Sequence, residues 1–90
     1  MSPLASNEVE KIVSDLAAKA SHPVDWRHSV VDLMSLLGID NSMVNRRALA
    51  TELGYTGDLN DSATMNTYLH KAIMQKLAEN EGQVPATLKD

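Results

Sequence analysis

Apolar side chains recur every three or four residues in four stretches of this chain, and each stretch is closed by a proline or a glycine. That spacing gathers them on one face of a helix, and the breakers set where each helix stops. Val9, Ile12, Val13, Leu16 and Ala20 form the first stripe. It starts near Ser6 or Asn7, where Asn7 and Glu10 have the spacing of a capping box. Pro23 biases His22 away from the helical region and interrupts the pattern over 21–24. A second helix is predicted from Asp25, whose carboxylate can accept from first-turn amides. Trp26, Val30, Leu33, Met34 and Leu37 share its face, with Val31 and Leu36 alongside, so this helix is expected to wedge between neighbours. Gly38 should end it in the left-handed conformation, with Ile39 folded back onto Met34. The third helix starts at Asn41 or Ser42 and turns Met43, Leu49, Ala50 and Leu53 inward. It ends the same way, on Gly54 and Tyr55. A polar turn, Thr56 to Asp61, leads to a fourth helix from Asp61 or Ser62 to about Asn80, and 85–88 could form one more turn.

These elements predict an all-α fold, a small orthogonal bundle of four main helices plus a short C-terminal turn, in one domain over residues 1–90. Composition agrees. Phe is absent and Trp26, Tyr55 and Tyr68 are the only aromatics, so Leu, Ile, Val, Ala and Met must build the core. Unbranched side chains among these keep their rotamer freedom in a helix, and no useful run alternates as a strand would. Ninety residues suit one domain, which can bury roughly 60–65% of its unfolded surface. Its centre is expected at Trp26, Val30, Leu33, Leu37, Leu49, Leu53, Met65, Leu69 and Ile73. Trp26 and Tyr68 read as large core fillers. Arg46 should pack its stem beside the third stripe and reach an acid with its head.

The formal net charge is −4, and only Arg46 and Arg47 are adjacent among the cations. Nucleic-acid binding needs a basic face, so neither nucleic acid nor an anionic membrane is the expected partner. Without Cys there is no disulfide, thiolate ligand or thiol nucleophile. No stretch reads as a signal peptide or a bilayer span, which makes the cytoplasm the default compartment and a soluble monomer the expected form.

No motif assembles chemistry. Asp58-x-Asn60-x-Ser62 opens like an EF-hand loop, but Ala63 and Leu69 stand where the glycine and the bidentate acid belong, which leaves a polar turn and a helix cap. His22, His28 and His70 lack metal-ligand spacing. The acid pairs Glu8/Glu10, Asp58/Asp61 and Glu79/Glu81 sit at helix ends and turns, and there is neither a nucleophile elbow nor a phosphate loop. Residues 45–54 followed by 64–69 resemble a helix-turn-helix, but the turn is too long and the second helix offers only Lys71 and Lys76 as cations. The expectation is a protein that is not an enzyme and takes no cofactor or metal. Its binding groups concentrate in the polar segment from Tyr55 to Asn66: Tyr55, Asp58, Asn60, Asp61 and Asn66, with His70 and Arg27 as additions. The partner would be a protein, a peptide or a glycan, since the acids repel anions. The competing reading is that Tyr55, Asp58 and Asp61 only fix the entry to the fourth helix.

Three stretches together, 25–34, 52–58 and 61–66 with 69–71 after it, resemble the bacterial domain-of-unknown-function family numbered 3597. Tyr68 stands where members of that family often have Trp. The resemblance implies a small set of helices with a flexible stretch between the first and second, and it implies no activity or site residue. It also implies that residues 1–15 are the edge of a longer protein. A weaker likeness links Leu53-Gly54-Tyr55, Gly57, Asp61 and Thr64 to helical peptidoglycan-binding repeats, although the Phe-Gly pair of those domains is missing. That makes a glycan-binding domain the alternative function, ahead of a DNA-binding regulator.

Overall fold

The computed structural model describes residues 3–89. Its helices are α1 (Ser6–Ala18), α2 (Val30–Leu36), α3 (Met43–Glu52) and α4 (Ser62–Glu79), and a single 3-10 turn, Ala86–Leu88, closes the chain. No strand occurs among the described residues, so the fold is the small all-α bundle that the periodicity predicts.

The longest helix organises the rest. Met65, Leu69, Ile73 and Leu77 run down one side of α4 and are fully buried. Each of α1, α2 and α3 makes its main packing contact with that helix. Burying one such side chain stabilises the fold by about 1.5–3 kcal/mol. The stripe of α2 meets it with Val30, Leu33 and Met34, and α3 meets it with Leu49 and Ala50. Val9 and Val13 come from α1, and Leu88 covers the end of the core.

The helix ends follow the predicted chemistry in four places. Ser42 and Asp61 accept from the backbone of Asn45 and Thr64 as N-caps. Gly38 and Gly54 adopt φ of 75° and 99°. There the Ile39 amide bonds the Met34 carbonyl and the Tyr55 amide bonds the Ala50 carbonyl, each at 2.8 Å. This left-handed step is the one glycine takes without a Cβ penalty.

Several expectations need correction. The second helix starts at Val30, not Asp25. Residues 25–28 form a separate turn closed by the Ser29 amide on the Asp25 carbonyl, and Ser29 is then extended and becomes the cap, accepting from Asp32. Asp25 pairs its carboxylate with the His28 ring at 3.0 Å, while its own amide donates to Asp32. The first helix is capped through Glu8, which accepts from the Ala5 amide at 2.9 Å, and not through Asn7 and Glu10. Glu10 is engaged by Arg27. Leu16 is exposed, because the inward line of α1 is Val9, Val13 and Ala17, one turn apart. Leu53 is only half-buried, since it is the C-cap of α3 and lies at the edge of the core. Arg46 reaches no acid among the described residues: its guanidinium donates to the Asn41 carbonyl and to Asn66 Oδ1. Trp26 is a core filler, whereas Tyr68 is exposed at its rim.

Candidate functional site

The polar segment after α3 folds onto itself. Tyr55 stacks its ring on Tyr68, with centroids 5.3 Å apart, and its hydroxyl donates to the Asp58 carbonyl at 3.1 Å. Gly57 permits this, because a Cβ there would lie 2.5 Å from the Tyr55 hydroxyl oxygen. Desolvation, helped by Asp61 and Asp58, holds the Tyr55 phenol above its usual range, so it stays a donor. Asp58 Oδ1 accepts from the Asn60 amide at 2.8 Å. Asp61 takes both the amide and the hydroxyl of Thr64, and those bonds hold its carboxyl below the usual range. Asn66 is occupied by Arg46, while Arg47 donates to the Leu59 carbonyl. Tyr55, Asp58 and Asp61 thus brace the turn before α4, while Asp58, Asn60 and Asp61 remain exposed.

His70 lies apart from that turn. Its Nε2 stands 2.6 Å from the Trp26 carbonyl, which can only accept, so the ring carries its proton on Nε2 and donates it. The Arg27 guanidinium lies 4.3 Å above the Trp26 ring and pairs with Glu10 of α1. One small cluster thus ties α1, the 25–28 turn and α4 together. The expected binding residues divide between two places: Tyr55, Asp58, Asn60, Asp61 and Asn66 in one, His70 with Arg27 in the other.

Three concavities lie along α4, and two more, about 280 and 290 Å³, lie over α1 beside Arg27 and between residues 20–24 and α2. A depression of about 440 Å³ runs between Leu53 and the row Tyr68, Lys71, Ala72, Gln75 and Lys76. A second, about 350 Å³, lies between α4 and the start of α1, over Leu4, Val9, Met74 and Ala78. The third, about 320 Å³, opens over Trp26, Arg27 and His70. Lys71 lines all three, Gln75 the first two and Met74 the last two. In the sequence Lys71 and Lys76 stand out only as isolated cations. Their signal is the spacing of 68, 71, 72, 75, 76 and 79, which is a second helical face flanking the buried one. Among the described residues no group of three His, Asp or Glu side chains could hold a metal ion. No helix there is long and apolar enough to cross a membrane.

The model of the family described as Domain of unknown function (DUF3597) matches residues 1–85. The chain is also similar to a conserved unknown protein from Rhodopseudomonas palustris, whose structure was determined in solution. The two are 45% identical with a TM-score of 0.56, and the match covers 94% of this chain. It covers 62% of the other, so this chain spans less than two thirds of that protein's length. No curated protein matches the chain.

Proposed function

The chain belongs to the DUF3597 family, and we propose that the domain is a non-catalytic binding module whose ligand surface is the outer face of α4. The observation that carries this reading is the convergence of three depressions on Lys71, Met74 and Gln75 of α4, with apolar and polar side chains both lining them. Ligand sites are concave and mix apolar lining with a few placed polar groups. The arrangement suits a peptide segment, whose side chains can occupy separate depressions while its backbone meets Lys71 and Gln75. The turn from Tyr55 to Asp61 supports the site from behind through the Tyr55–Tyr68 stack. His70 serves as a strut, because its proton is committed to a backbone carbonyl. The module acts as a monomer on a peptide or protein partner.

Peptides selected against the folded domain by phage display test this reading. Gln75→Arg places a bulky side chain where two depressions meet and should abolish binding of the enriched peptides without changing the helical signal. Enrichment that is indifferent to Gln75→Arg, or no enrichment at all, overturns the assignment.

A further inference from the structure

We infer that the segment docking on α4 presents a carboxylate to Lys71, a deepening that rests on reading the groove as a peptide site. The inference comes from the charges that line it. Two acids border the depressions, and both are already paired: Glu10 with Arg27, and Glu79 with Lys76 at 3.4 Å. Lys71 is exposed and sits where all three depressions meet. No carboxylate among the described residues pairs with it. Each depression also sets an apolar group beside that exposed cation, with Leu53 in the first, Leu4 and Met74 in the second and Trp26 in the third. An ion pair at this exposed position is screened by water and salt, so its contribution is modest and salt-dependent. The chain as a whole carries −4, so the acids elsewhere deter a strongly acidic polymer while this one position accepts a single anion. The complementary occupant is an apolar peptide segment with one Glu or Asp side chain among its aliphatic residues.

The test titrates the full chain with a blocked leucine-rich peptide bearing one glutamate, and with its glutamine counterpart, by fluorescence polarisation. The glutamate peptide should bind roughly twofold to fivefold more tightly at low salt, the range of one exposed ion pair. Lys71→Gln should equalise the two peptides, Lys71→Glu should reverse their order, and Lys71→Arg should keep the parent preference. Added salt should narrow the preference. If both peptides bind the parent equally and Lys71→Glu changes nothing, the carboxylate assignment fails while the docking groove survives. If neither peptide binds, groove and carboxylate fall together. A duplex oligonucleotide that displaces the glutamate peptide at physiological salt would also overturn the proposal, by making the anion a phosphate.

Discussion

Asp61 binds a single neighbour twice, taking the Thr64 amide on Oδ1 at 3.2 Å and the Thr64 hydroxyl on Oδ2 at 2.8 Å. Both bonds favour the charged carboxylate, so its folded-state pKa lies below the unfolded value. A group lowered in this way stabilises the fold above the unfolded pKa, about 3.9. That stability is lost as pH falls through the folded value. Asp61→Ala should therefore melt at a lower temperature than the parent at neutral pH, and the gap should close in acid below the carboxylate range. Thermal melts by circular dichroism across that range check it, and a gap independent of pH would contradict the assigned hydrogen bonds. Asp61 was legible in the sequence because an acid before an apolar helical stripe has few other uses. Asp25 has the same local pattern and is not a cap. The burial of Trp26 and the competing cap at Ser29 decide there, and both depend on tertiary contacts. Arg46 is a similar case, since backbone carbonyls that await a guanidinium leave no mark in composition.

At the scale of the element, α4 divides its residues between two tasks. Its inner face holds Met65, Leu69, Ile73 and Leu77 in the core, so Leu69→Ala should cost about 2–5 kcal/mol, as should Leu33→Ala opposite it on α2. Urea titration measures both, and a Leu69→Ala variant that unfolds like the parent would show that the core is misassigned. The outer face contributes little to stability, and Gln75 and Lys71 variants should fold like the parent. Helix ends give a sharper comparison. Gly38 has φ of 75° and open space around its Cα: a Cβ added there would meet nothing nearer than Lys89 Nζ at 4.0 Å. Gly38→Ala should then cost about 1–2 kcal/mol from backbone strain alone. The inner face was readable because burial fixes period and residue type together. The outer face has the same period, but its residue types also suit plain solvent, so sequence alone could not separate a rim from a surface.

For the molecule as a whole, the Cα radius of gyration of 12.6 Å matches the roughly 12 Å expected of a folded chain this long. The large exposed hydrophobics are Leu16, Val44 and Tyr68, one on each of α1, α3 and α4. Sedimentation equilibrium should accordingly return the 9.8 kDa mass of a single chain, and a concentration-dependent doubling would rule out the monomer. Four helices and their order could be read from apolar spacing, but the groove could not. It exists only because α1 and the end of α3 flank α4, bringing Leu4 and Leu53 to opposite sides of a row that is contiguous only within α4. Loop polarity points to the Tyr55–Asn66 segment, where Tyr55, Asp58 and Asp61 hydrogen-bond within their own turn while Asp58, Asn60 and Asp61 stay exposed. The most direct measurement is an amide and indole chemical-shift map of isotope-labelled protein titrated with the leucine-rich glutamate peptide. A docking face on α4 predicts shifts concentrated at Tyr68, Lys71, Gln75 and the Trp26 indole, with the turn at Asp58 and Asn60 unmoved. Shifts confined to that turn, or none at any residue of α4, would contradict it.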